Sequence, residues 1–287
     1  VLFLGNGARN SDWETLKNIL GIPILLTWKS MDFLGEDGPL YCGRPGMIST
    51  RGANFVLQNA DLLLCIGARL DPVSVAYNYM NFAYSAQKIV VDIDKGELDK
   101  FPTEWVKINQ DAKEFICQLI ANLNTNPDGV QSYSNWSTKA RELYLKYRLV
   151  PEQVTEQVTE QVNTYQFVEH LSNILDKDDI IVSGSSGVNI EIFYQTFKVK
   201  KGQRIIGLPG FGAMGTGLPL AIGVACAVRD AHLDNRVILL DGDGSFQVNI
   251  QELETVRRLG LPLKIFIFSN KGYGSIHNMK EKRYGRF

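Results

Sequence analysis

The sequence predicts an α/β protein built from two Rossmann-like, doubly wound parallel-sheet domains. Short apolar runs rich in Val, Ile and Leu recur along the 287 residues, and most of them end in Gly, Asp or Ser. The segments between the runs are long enough for crossover helices. Strands covered on both faces read as unbroken apolar runs of this kind, and their alternation with helices marks a doubly wound sheet.

In chain order, the runs at 1–4, 22–26, 62–66 and 89–93 are the strands expected of the first domain, and those at 180–182, 237–240 and 263–268 are the strands of the second. Helical apolar spacing appears at 12–20, 53–59, 112–123, 165–175 and 249–259. From about 124 to 163 the chain turns polar, and it includes a short Glu-Gln-Val-Thr repeat at 153–162. This stretch reads as an interdomain connection, helical around 136–147 and exposed after Pro151. The expected organisation is a first domain at 1–130, a linker at 131–162 and a second domain at 163–287.

A net charge of −1 leaves no electrostatic footprint for nucleic acid or an anionic membrane. No apolar run approaches the ~20 residues that span a bilayer. Cys42, Cys65, Cys117 and Cys226 are scattered without a CxxC pair and read as reduced, mostly buried thiols of a cytoplasmic protein. The chain starts inside an apolar run without Met. It stops soon after Lys280, Lys282, Arg283 and Arg286 with no closing helix evident, so a piece of a longer protein is expected.

The sharpest signal is Asp241-Gly242-Asp243-Gly244-Ser245, directly after one apolar run and before a helical stretch. A diphosphate needs close backbone N–H groups and a hard cation. Gly242 and Gly244 permit the turn and the approach, a helix start adds donors, and Asp243 offers a carboxylate to Mg²⁺. Asn270 lies 27 residues on, after the run at 263–268. One βαβ unit fills that gap and would bring Asp243 and Asn270 together at the carboxyl ends of adjacent strands. A lone DGDG is also a generic turn or a calcium-loop fragment. An EF-hand, however, needs a Glu at its loop end, a P-loop needs Gly-Lys-Ser/Thr, and neither is present.

GDG followed at this distance by an apolar strand and Asn resembles the signature of thiamine-diphosphate enzymes, the acetolactate synthase large subunit and pyruvate oxidase group in particular. The family's paired asparagines are Ser269-Asn270 here, and the family's ligand matches Asn270. The resemblance implies Mg²⁺ ligation by the Asp243 and Asn270 side chains and the Gly272 carbonyl, with Gly244 and Ser245 N–H groups on the diphosphate. The glycine-dense stretch 207–219 resembles the family's aminopyrimidine loop. There Met214 would wedge beneath a bent cofactor, while the Gly212 carbonyl and Met214 N–H bind its ring edge. Gly187 and Asn189 lie in a turn that touches the diphosphate in relatives, where the usual Asp is replaced by Ser185.

The first domain resembles the group's central domain, which binds FAD in some members and acts as a spacer in others. Gly46 and Met47, Arg69, and Asp92 match the flavin-binding loop, turn and acidic position, although Ile48-Ser49 stand where acetolactate synthases have His-Gly. The resemblance implies decarboxylation of a 2-oxo acid such as pyruvate with carboligation, in a homodimer or homotetramer whose active sites lie between subunits. Ser275 and Met279 replace a Met and a pocket Trp common in relatives, so other acceptors, a ketosugar for example, stay open. So do a decarboxylase, an oxidase, and a non-enzymatic nucleotide-binding regulator. The family's activating Glu belongs to a domain that no segment here resembles. No catalytic base is therefore assigned, and the chain alone is expected to be inactive.

Overall fold

The computed structural model describes residues 1–126, 132–149, 162–187, 189–210 and 212–285. The chain divides into two compact units, Val1–Leu149 and Val150–Phe287. Each holds one all-parallel sheet, as the sequence predicts.

In unit one, strands β1 (Leu2–Leu4), β2 (Ile24–Leu26), β3 (Leu62–Ile66), β4 (Gln87–Asp92) and β5 (Val106–Asn109) are ordered β2-β1-β3-β4-β5. The helices are α1 (Trp13–Leu20), α2 (Arg51–Gln58), α3 (Lys95–Asp99), α4 (Ala112–Thr125) and α5 (Ser134–Lys146). Their starts are written locally. The Asp12 carboxylate accepts from the Thr15 N–H, and Asp111 accepts from the N–H groups of Lys113 and Glu114, satisfying donors that a helix start leaves unpaired. Residues of β1 and β2 are wholly buried, β1 as a central strand and β2 although it lies at an edge.

Helix α5, which falls on the helix expected around 136–147, groups with unit one. Its Arg141 guanidinium donates to the carbonyls of Tyr41 (2.6 Å) and Glu36 (2.8 Å), and Ser137 Oγ donates to the Gly21 carbonyl at 2.7 Å. Gly52 of α2 lets the helices touch: a Cβ there would stand 2.4 Å from the Tyr144 carbonyl oxygen. The polar composition that suggested a connection is the solvent face of a helix whose Ala140 and Tyr144 are buried. The repeat at 153–162 lies outside the described residues except for its last, Val162.

In unit two, β6 (Ile180–Ser183), β7 (Arg204–Gly207), β8 (Val237–Gly242) and β9 (Leu263–Phe268) are ordered β7-β6-β8-β9. The helices are α6 (Thr164–Ile174), α7 (Tyr194–Thr196), α8 (Gly217–Asp230), α9 (Asp243–Gln247), α10 (Leu253–Leu259) and α11 (Gly274–Tyr284). Strand β8 is buried along all six residues. The expected helix at 249–259 splits into a 3₁₀ turn, Ile250–Glu252, and α10. A helix not read from sequence, α11, follows β9; it buries no residue, so no apolar face announced it. Two edge strands, β5 and β7, went unread because each carries only two strongly apolar residues.

All four cysteines are free. Cys42 and Cys65 are buried, but Cys117 is exposed and Cys226 only partly covered, so the reading of mostly buried thiols holds for half of them. Among the described residues no helix is long and apolar enough to cross a membrane.

Candidate cofactor and metal site

The strand order of unit two reverses direction between β6 and β8, and β9 lies beside β8. The register pairs Gly242 with Phe268, so the turns after both strands leave the sheet at the same edge. Ligands of open α/β sheets bind there.

The Asp243 carboxylate organises that edge. One oxygen accepts from the Gly272 N–H at 3.0 Å and from the Ser269 hydroxyl at 3.2 Å, and the other accepts from the Gly244 N–H at 2.8 Å. Lys271 and Gly272 take positive φ values of 63° and 145°. Glycine tolerates this region far better than other residues, and the reversal points both the N–H and the carbonyl of Gly272 at the site. Asn270 Oδ1 stands 2.6 Å from the Gly272 carbonyl oxygen and 3.3 Å from Asp243 Oδ1.

Three oxygens facing one another repel unless a positive group joins them. A half-turn of the amide would supply one by placing its nitrogen there; a cation would do the same. A hard, oxygen-only set with a single carboxylate suits Mg²⁺, which keeps most of its shell for water and substrate phosphate. Among the described residues no group of three or more His, Cys, Asp or Glu could hold a metal. The site therefore fits an ion shared with a phosphorylated ligand and not a closed protein cage.

One cleft collects most of the residues singled out from sequence. Gly187, Met214, Gly242, Asp243, Gly244, Ser245, Asn270 and Gly272 all line it. Met214 is 42% exposed, an apolar side chain offered to the cleft and not to a core. Gly212, at φ 59°, is not among the lining residues. Asn189 begins a short π-helical segment, Asn189–Phe193. The Gly244 N–H, expected on a diphosphate, turns onto Asp243. Ser185 meets Thr216 at 3.2 Å between hydroxyls.

Sequence reading missed Ser186, Tyr273 and Ile276, which line the same cleft. The Tyr273 ring lies over Gly244, where a Cβ would stand 2.8 Å from it. The only signal for Tyr273 was an aromatic residue following the metal-loop glycine.

Beneath the turn, Asp241 is fully buried. Burial pushes its carboxyl above the ordinary value, while hydrogen bonds from the Gly242 N–H and the Ser245 hydroxyl act in the opposite direction.

The residues read as flavin contacts fall around one loop of unit one. Gly46, at φ 139°, exchanges two 2.9 Å hydrogen bonds with the Asn54 amide, and the Met47 N–H donates to the Val73 carbonyl. Arg69 follows β3, 68% exposed at its side chain, and pairs with Glu97 at 3.3 Å. Asp92 ends β4 and accepts from the Asp94 N–H. Arg69 and Asp92 are thus already engaged by protein groups.

Comparison with known families and proteins agrees with this geometry. Residues 1–119 match the thiamine pyrophosphate enzyme central domain, and residues 185–287 match the thiamine pyrophosphate enzyme C-terminal TPP binding domain. Among relatives, the acetolactate synthase isozyme 1 large subunit of Escherichia coli K12 is 29% identical over 287 residues, covering 99% of this chain and 48% of that protein. The acetolactate synthase large subunit of Porphyra purpurea is 32% identical over 295 residues, covering 99% and 47%. Acetolactate synthase 2, chloroplastic, of Zea mays is 30% identical over 295 residues, covering 99% and 43%. The chain spans about half the length of these relatives. With both domain types matched in their family order, the chain belongs to the thiamine pyrophosphate enzymes.

Proposed function

We propose that the protein carrying this chain uses thiamine diphosphate and Mg²⁺ to decarboxylate a 2-oxo acid, pyruvate in the first instance, and to ligate the remaining unit to an acceptor, as an acetolactate synthase does. The observation that carries the reading is the meeting of Asp243, Asn270 and the Gly272 carbonyl at the carboxyl ends of two adjacent parallel strands.

In this reading Asp243 and Asn270 hold the ion through their side-chain oxygens, and Gly272 holds it through its carbonyl. Gly242, Gly244 and Ser245 line the diphosphate side. Met214 supports the rings from the apolar side, and Gly187 borders the cleft. When bound, thiamine diphosphate supplies the electron sink that decarboxylation requires. The chain's own work is to fix that group and to keep water away from it with Met214, Phe268 and Ile276.

A ligase for a different acceptor is favoured by one observation: Ser275 lines the cleft at the position where relatives commonly carry Met. A flavin in unit one has less support, since Arg69 and Asp92 are engaged internally. The oxidised flavin's yellow absorption in purified protein would establish it. A homodimer or homotetramer with shared active sites, in the cytoplasm, completes the proposal.

The test is an assay of the full-length protein with pyruvate, Mg²⁺ and thiamine diphosphate. Acetolactate supports the first reading. Ligated product only with an added sugar or aldehyde acceptor supports the second, and free acetaldehyde or acetate points to a decarboxylase or oxidase. Absence of Mg²⁺-dependent thiamine diphosphate binding by calorimetry would contradict all of these and leave a nucleotide-binding regulator.

A further inference from the structure

Asp241 is the one fully buried carboxylate at the site, and nothing in the metal reading uses it. Three chain segments converge on it. A Cβ on Gly184, after β6, would stand 2.3 Å from its carboxylate, and one on Gly217, at the start of α8, would stand 2.4 Å away. Both glycines therefore let backbone rest directly on this side chain. The third segment is the 242–245 turn. Asp241 Oδ1 accepts from the Gly242 N–H at 2.9 Å, and Oδ2 lies 3.3 Å from Ser245 Oγ.

Ser245 extends the contact toward the ring-side loop. Its Oγ accepts from the Gly215 N–H at 3.1 Å. A backbone N–H can only donate, so the hydroxyl keeps its own hydrogen for Asp241 Oδ2. The Asn249 amide donates to the Gly215 carbonyl at 2.7 Å. Gly215 is thus gripped on its N–H by the 242–245 turn and on its carbonyl by Asn249, which follows that turn in sequence. Met214, the apolar side chain offered to the cleft, immediately precedes it.

We infer that Asp241 is a positioning residue: through the Ser245 hydroxyl it fixes the distance between the diphosphate turn at 242–245 and the ring-side loop at 212–217. Burying a carboxylate is costly unless it is well hydrogen-bonded, and here it couples two halves of one ligand site. The inference rests on the cofactor reading above and deepens it.

The test compares two ligands in the presence of Mg²⁺ by calorimetry on the purified full-length protein. Inorganic pyrophosphate needs only the metal turn; thiamine diphosphate needs both halves in register. Asp241→Asn keeps an oxygen for the Gly242 N–H but offers a donor where the Ser245 hydroxyl needs an acceptor, and Ser245→Ala removes the relay itself. Each variant is expected to weaken thiamine diphosphate about tenfold more than it weakens pyrophosphate, the scale of a lost hydrogen bond to a charged group. The double variant is expected to be no weaker than the worse single one, because both act through one contact. Equal weakening of both ligands, no weakening, or additive losses would overturn the inference. If Asp241→Asn does not fold, Ser245→Ala alone decides it. Failure of the unsubstituted protein to bind thiamine diphosphate would overturn the cofactor reading and the inference together.

Discussion

The two sheets reverse direction at equivalent places, between β1 and β3 in unit one and between β6 and β8 in unit two, yet the loops there do different things. In unit one the reversal is sealed. The N–H groups of Gly5 and Gly7 donate to the carbonyls of Ile66 and Gly67, and a Cβ on Gly5 would stand 2.1 Å from the Gly67 oxygen. In unit two the first two loops also pack closely, with Gly184 donating to Leu240. The loop after β9, however, contributes Asn270 and Gly272 and leaves a cleft against Met214. Glycine density alone does not distinguish these outcomes, because glycines let protein pack closely on protein in both units. The convergence of Asp243, Asn270 and the Gly272 carbonyl on one cleft does distinguish them.

The largest expected effect breaks the comparison from the unit-two side. Asp243→Ala should lower Mg²⁺-dependent thiamine diphosphate affinity by about 100-fold or more, at or beyond the upper range for groups that only support a metal ligand, while the thermal transition of unit one stays put. Calorimetry and a melting curve report both, and retained affinity would place the cation elsewhere. From the unit-one side, Gly5→Ala should destabilise that unit by about 3 kcal/mol, the upper end for overpacking, because the obstacle is backbone. Denaturant titration measures this, and the cofactor affinity of the folded protein should not change.

An alkaline titration sharpens the contrast. In unit one, burial pushes the Tyr41 hydroxyl up to about 12, with nearby Arg44 pulling down and Glu36 pushing up. The unfolded chain releases that proton near pH 10. The neutral phenol therefore contributes stability that is full below about pH 10 and lost as pH rises toward 12, roughly 2 kcal/mol by then. Burial holds the Cys42 thiol up to about 12 as well, so it acts in the same direction from about pH 9. Tyr41→Phe should flatten the slope in denaturant midpoints measured across this range. The smallest effect is kinetic: a thiol reagent should label exposed Cys117 first and reach Cys42 and Cys65 only on unfolding, as mass spectrometry of peptides would show.

Much of this was legible in the residues. Apolar runs such as 1–4 and 237–240 fall on strands because buried parallel strands need side chains that suit both faces. The Asp243 and Asn270 pairing was legible because one βαβ unit fits their separation. Strands β5 and β7 were not, since each carries only two strongly apolar residues. Helix α5 was legible as a helix, but its packing on unit one was not, since Gly52, which admits it, lies far away in sequence. The role of Ser245 between Asp241 and Gly215 depends on contacts across 30 residues that no local pattern encodes.

The most direct measurement is a crystal structure of the full-length protein with thiamine diphosphate and Mn²⁺ in place of Mg²⁺, located by anomalous scattering. The expected result is one ion about 2.1 Å from oxygens of Asp243, Asn270 and Gly272, with diphosphate oxygens completing its shell. An ion elsewhere, or a cofactor bound with Asn270 turned to donate to Asp243, would contradict it.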